Sequence, residues 1–458
     1  MSIAIINPTT GETEKEFEPH DAAEVERRLA LADAAYRTMR GTTFAQRAEW
    51  MNNAADLLDA ELEETAVTMV REMGKPIAAA RAEVAKCAKG ARFYAAHSED
   101  FLADVPLEDP SWVNASQAYA RFQPLGAVLA VMPWNYPLWQ VMRFAAPALM
   151  AGNAGVLKHA SNVPASAMYL DGLFTRAGFP EGAFTTLLIG SREVQAVIED
   201  PRIKAVTLTG SEPAGRSVAS QAAAQVKKAV LELGGSDPFI VMPSADIDAA
   251  VKTAVTARTQ NNGQSCIAGK RFIVHTDVYD AFSEKFVAAM SALVVGDPLD
   301  ETTQVGPVAT ASGRDELAEL VDDARAKGAE ILTGGAPVDR PGWFYPPTVV
   351  AAVTPDMRIH LEEAFGPVAT LYRVADADEA IEIANGTSFG LSSAAWTTDP
   401  AEQEKFSTEL EAGGVFVNGM TISYPELPFG GIKNSGYGRE LGAPGIKEFC
   451  NMKTIWKA

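Results

Sequence analysis

Along the first hundred residues of this 458-residue chain, apolar positions recur three and four apart. That spacing predicts helices over 20–39, 44–74 and 77–102. From Gly126 the rhythm changes to short apolar runs, each followed by an amphipathic stretch. GAVLAVMP precedes a helix near 139–151, AGVLKHA one over 165–177, TTLLIG one over 192–199, and AVTLTG one from about Ala214. This βαβα alternation predicts a doubly wound parallel sheet. A second alternation begins after LELGGSDPFIVM and passes through KRFIVH, YDAFSEKFVAAMSAL, PVATLYRV, SAAWTT and GGVFVN, predicting a second α/β domain from near Gly234. PLEDPSWVNASQAYARFQP and the C-terminal EFCNMKTIW are polar and alternating, so they suit no core. They predict an extended β element able to pair between subunits.

Charge narrows the partners. The net charge of −20 argues against nucleic acid and anionic membrane, and it requires a local cation wherever a small anion binds. No apolar run reaches the ~18 residues of a spanning helix. The most apolar patch, 144–157, is broken by Pro147, Gly152, Asn153 and Gly155. The opening MSIAIINPTTGE lacks a basic, then apolar, leader pattern, so no secretory signal is expected. Cys87, Cys266 and Cys450 are far apart and none lies in a C-x-x-C pair. A reduced, cytoplasmic protein without a structural metal is the expectation.

Cys266 is the chemically suggestive cysteine. It lies in NNGQSCIAGKR, among polar residues and flanking glycines, where a thiol is more accessible than on an apolar stripe. On these residues alone it remains a nucleophile, a redox-sensitive thiol, an incidental small side chain or a metal ligand. None of the five histidines has an evident orienting context. A carboxylate is the other partner type, and Glu232 in VLELGGSDP stands at a strand end before paired glycines, where burial can raise it into the range of a general base. PWNYP (133–137) is a rigid platform from which Asn135 can donate to an oxyanion or merely satisfy the turn. TGSEPAG (209–215) follows a strand and opens a helix, placing Gly210 and Ser211 at a potential anion site.

PWNYP, LELGG, GQSC, EEAFGPV (362–368) and PFGGIKNSGYGRELG (428–442) stand in the order and spacing of the aldehyde dehydrogenase superfamily, and the opening INPTTGE resembles its start. The resemblance spans essentially the whole chain. It implies an α/β fold with a Rossmann-type cofactor domain (1–105 and 125–233), an α/β catalytic domain (234–430), and a small β oligomerisation element with the C-terminal tail (106–124 and 431–458). It also implies a homodimer or homotetramer. By the same resemblance Cys266 is the nucleophile, Asn135 an oxyanion donor and Glu232 the base that activates water against a thioester. Trp134, Lys158, Gly210, Ser211, Glu363 and Phe365 match cofactor contacts, and Glu440 matches a second acid.

Cofactor and substrate follow from one departure and one match within that pattern. NAD-preferring members place a glutamate three residues after the cofactor lysine, whereas KHAS places Ser161 there. Without that carboxylate a 2′-phosphate is not repelled, so NADP is expected, with NAD as the alternative. Arg143 and Ser423 match the arginine and serine that hold the far carboxylate in succinate-semialdehyde dehydrogenases, and the short chain most resembles the compact bacterial ones. The expected reaction is oxidation of succinate semialdehyde to succinate. Another small aldehyde is the alternative, for which Trp139, Phe144 and Tyr424 would line an apolar tunnel; a non-catalytic protein reusing the fold is the remote one. Gln260 stands where some members carry a second arginine, and Ala268 where some carry a redox-paired cysteine.

Overall fold

A computed structural model describes residues 3–458. The N-terminal helices begin on their own side chains. Asp21 accepts from Glu24 N at 2.8 Å to start Ala22–Met39, and Thr43 with Gln46 forms a reciprocal cap on Phe44–Ala60. The stretch 44–74, predicted as one helix, is two: Phe44–Ala60 and Leu62–Met73. Glu61 leaves helical geometry between them, and its carboxylate is ion-paired to Arg176 on the helix Pro164–Arg176. Both arms keep the same apolar spacing, so nothing local marks the break. Gly74, left-handed at φ 77°, closes the second arm, and Ile77–Phe101 follows.

The first sheet runs, in spatial order, Gly436–Tyr437, Lys228–Glu232, Ile203–Thr209, Ala127–Met132, Ala154–His159 and Phe184–Thr186. Only Gly436–Tyr437 is antiparallel to its neighbour. The parallel part starts at Ala127–Met132, winds to one edge, then crosses back to Ile203–Thr209. The carboxyl ends of these two strands therefore flank the topological switch point, where doubly wound sheets open a binding crevice. Asn153 fixes the start of the central strand by accepting from Leu125 N at 2.8 Å and Gly126 N at 3.1 Å. The strand Gly436–Tyr437 comes from the segment expected in the C-terminal tail, and it puts Gly436 opposite Glu232.

The second sheet has seven strands: Glu330–Thr333, Thr348–Ala351, Val368–Val374, Gly269–His275, Asp237–Val241, Ser393–Trp396 and Val415–Val417. Helices cover both faces, so its strands are apolar on both. Phe239 and Val241 join one core cluster, while Ile240 between them joins the opposite one. A third sheet pairs Cys450–Lys457 with Gln117–Pro124 residue for residue, with Val105–Pro106 on the far side. It lies largely in solvent. Among the described residues, no helix is long and apolar enough to cross a membrane.

Candidate active site

Cys266 lies between the helix Ile247–Thr259 and the strand Gly269–His275, in a loop shaped by its own polar residues. Asn261 and Asn262 adopt left-handed backbone, at φ 56° and 60°. Asn is among the few residues tolerated there. The Asn262 amide donates to the carbonyls of Gly74 (2.8 Å) and Pro307 (2.9 Å), and its oxygen accepts from Gly306 N. Gly263, at φ 75°, is obligatory in a second sense, because a Cβ there would lie 2.3 Å from the Gly366 carbonyl carbon. Lys270 finishes the clamp by donating to Ser265 O at 3.0 Å and Cys266 O at 2.8 Å.

The oxyanion platform is tied to the same loop. Asn261 Nδ2 donates to Asn135 O at 2.7 Å, and Asn135 Nδ2 donates to Gln264 O at 3.1 Å. An amide nitrogen carries two hydrogens, so Asn135 keeps one for another acceptor. The Cys266 thiol is only partly exposed, and burial pushes its pKa up to about 12 against the lowering pull of Arg143 and Lys270. The polar loop composition suggested an accessible, readily ionised thiol; the packed surroundings make it an acid that ionises only with help.

Two cavities meet at Cys266. One, of about 310 Å³, opens at the switch point and is walled by Trp134 and Asn135 after one central strand, by Thr209, Gly210 and Ser211 after the other, and by Glu363 and Phe365. Phe365 meets Trp134 edge to face at 5.7 Å, and Glu363 is 3.0 Å from Lys270 Nζ. Lys158 and Ser161 stand beside this wall rather than on it, at and just beyond the end of Ala154–His159; burial holds the Lys158 ammonium below its usual range. The Ser161 carbonyl accepts from Ala4 N at 3.1 Å. The other cavity, of about 270 Å³, is walled by Lys86, Trp139, Arg143, Gln260 and Ser423 as well as Cys266.

Glu232 ends its strand fully enclosed, 2% exposed, and neither carboxylate oxygen has a hydrogen-bond partner. Gly430 makes the room for it: a Cβ there would sit 2.6 Å from Glu232 Oε1, and its φ of +149° disfavours a side chain as well. Burial, then the charge of Glu440, raises the Glu232 pKa well above the ordinary glutamate value, opposed by Arg143 and Arg439. Arg143 is 2% exposed, its guanidinium 4.6 Å over the Phe429 ring, with Nε 2.7 Å from Glu440 Oε2 and no hydrogen-bond partner for Nη2. Sequence motifs drew attention to Arg143 and Glu440 separately, and the structure brings them into one buried ion pair.

Of the apolar residues expected around a tunnel, only Trp139 lines the cavity at Cys266. Phe144 points the other way on the same helix and packs against Phe449 at 5.5 Å. Tyr424 is 38% exposed on the wall of a separate cavity. Lys86 carries no motif of its own and emerges only from tertiary structure, as do the contacts of Lys270 and the unpartnered, buried Thr209 hydroxyl, which lie within quoted motifs but were not singled out. The glycine string 430–438, part of PFGGIKNSGYGRELG, proves to wall Glu232.

A profile of the Aldehyde dehydrogenase family matches residues 1–455. A protein of Mycolicibacterium paratuberculosis named succinate-semialdehyde dehydrogenase [NADP(+)] is 64% identical over 457 residues, covering 100% of this chain and 97% of its own. The crystal structure of a succinic semialdehyde dehydrogenase from Streptococcus pyogenes, in complex with NADP+ as the cofactor, superposes with a TM-score of 0.96 at 38% identity, covering 99% of both chains. That of a succinate-semialdehyde dehydrogenase from Burkholderia pseudomallei gives 0.95 at 36% identity, over 99% of this chain and 94% of its own.

Proposed function

The chain belongs to the aldehyde dehydrogenase family, and on that premise we propose that it oxidises succinate semialdehyde to succinate with NADP+, through a thiohemiacetal and then a thioester on Cys266. The observation that carries this is the placement of one cysteine where two cavities meet, a switch-point crevice on one side and a cation-lined pocket on the other. Full-length relatives named for this reaction support the choice of substrate and cofactor.

The crevice fits a dinucleotide by its own chemistry. The unpartnered Thr209 hydroxyl lines it, and Ser211 leads into a 13-residue helix whose first turn no side chain caps. Trp134, Gly210, Ser211, Glu363 and Phe365 would hold the cofactor there, with Lys158 and Ser161 toward the adenosine ribose, position 161 being a serine rather than a glutamate that would repel a 2′-phosphate. When bound, the dinucleotide supplies the hydride acceptor that makes the reaction an oxidation.

The chain's own groups do the rest. Cys266 Sγ, as the thiolate once its proton has passed to water, adds to the aldehyde carbon, and the free hydrogen of the Asn135 amide, with the Cys266 N–H, receives the developing oxyanion, a donor of this kind contributing ~3 kcal/mol. Glu232, once ionised, takes a proton from water, which attacks the thioester and releases the acid. Arg143 and Ser423 line the pocket that takes the far carboxylate. The enzyme acts in the cytoplasm as a homodimer or homotetramer, with no nucleic-acid or membrane partner. Following reduced-nicotinamide absorbance with succinate semialdehyde, and NADP+ or NAD+ in turn, tests this: turnover favouring NADP+ and lost in C266S is expected. No turnover with either cofactor overturns it.

A further inference from the structure

Cavity charges cancel in pairs, leaving one over. Glu83, the only acid among the described residues lining the cavity that holds Lys86, is ion-paired to Lys75 and also accepts from the backbone N–H groups of Leu138 and Trp139, at 2.9 Å each. Arg143 is matched by Glu440 at 2.7 Å. Lys86, on the helix Ile77–Phe101, has no carboxylate within ion-pair distance among the described residues. Its ammonium donates to Ser423 Oγ at 2.9 Å and lies 4.4 Å from the Trp139 ring centroid.

That arrangement also aims Ser423. Its Oγ accepts from Lys86 Nζ and from Trp139 Nε1, both at 2.9 Å. With both lone pairs engaged, the hydroxyl hydrogen must point elsewhere and is available to an acceptor in the cavity. Gln260 adds a second neutral donor, since its buried Nε2 has no partner and the residue lines the same wall. This is the position where the sequence lacks the arginine found in some relatives.

We infer that Lys86 is the charge-bearing anchor for the far carboxylate of the substrate, with Ser423 and Gln260 as its neutral donors and Arg143 as a guanidinium already balanced by Glu440. The inference rests on the proposed oxidation of a short aldehyde acid, and it moves the decisive charge from the helix after the oxyanion platform to one that carries no motif. Burial and the nearby Arg143 pull the Lys86 ammonium down to about 8, with Cys87 and the Lys75-paired Glu83 opposing. Lys86 thus fixes specificity: it favours a carboxylate-bearing aldehyde over a neutral one of equal length.

The test compares kcat/KM for succinate semialdehyde and butanal, with NADP+, in wild type, K86M and K86R. Met keeps a flexible side chain of similar length and removes the charge; Arg restores the charge. The expected result is a ratio that falls about 100-fold in K86M, mainly through KM for succinate semialdehyde, and recovers most of that loss in K86R. An unchanged ratio in K86M, or equal losses with both aldehydes, overturns the assignment of Lys86. A wild-type enzyme that shows no preference for succinate semialdehyde over butanal instead overturns the functional reading beneath it.

Discussion

Glu232 holds its carboxyl where no hydrogen bond reaches it, and that isolation dictates a pH response. Its pKa lies above the ordinary glutamate value because burial and Glu440 both disfavour the charge. The folded chain therefore keeps a proton that the unfolded chain would release. The group favours folding below the ordinary value, and that contribution is lost as pH rises through the elevated one. Catalysis runs the opposite way, since the base is the ionised form. Thioester hydrolysis should climb from neutral into alkaline pH, and E232Q should lose that limb; rapid-mixing kinetics across about pH 6 to 9 would show it. A flat wild-type profile would contradict the role. Cys266, Asn135 and Glu232 could be singled out in sequence because each sits in a compact motif, although each motif alone left its role open and only the family resemblance gave it one. Lys86 was not, because its significance comes from Trp139 and Ser423, which only tertiary structure brings to it.

At the scale of elements, the doubly wound order was legible from the alternation of apolar runs with amphipathic stretches, which is a local pattern. Non-local pairing was not. Gly436–Tyr437 joins the first sheet opposite Glu232 from more than two hundred residues away in sequence, and nothing in GGIKNSGYG says so. The break at Glu61 was equally silent, and the ion pair with Arg176 that accompanies it joins residues far apart in sequence. The loop 260–263 is different, because Asn-Asn-Gly is a recognisable request for left-handed backbone. Gly263 then meets the Gly366 carbonyl, so G263A should displace the nucleophile loop. The expected outcome is a loss of at least ~2 kcal/mol of stability, seen as a lower Tm, together with near-complete loss of turnover. A G263A enzyme with wild-type Tm and kcat would show that the loop does not depend on this contact.

Across the whole molecule, the two wound sheets face their functional ends toward one thiol, while the third sheet stands apart in solvent. Its strand Cys450–Lys457 has one edge unpaired and carries exposed Met452 and Trp456, at 65% and 51%. An edge of this length calls for cover, and a second copy of the chain is the simplest source. Sedimentation equilibrium should give two or four times the chain mass, and removing residues 450–458 should shift it toward monomer. A monomeric full-length protein would leave the edge without that purpose. The acidity of the chain gives the cation-lined cavity its meaning, since a net charge of −20 repels a small anion everywhere except where a local charge is left uncancelled.

Covalent oxidation of succinate semialdehyde at Cys266, with release governed by Glu232, should leave an acyl enzyme when the base is removed. Peptide mass spectrometry of E232Q, mixed with succinate semialdehyde and NADP+ and quenched in acid, would capture it. A succinyl thioester on the peptide bearing Cys266, formed with one NADPH per site, is the predicted result. NADPH formed with that peptide unmodified, or an acyl group on Cys87 or Cys450 instead, would contradict it.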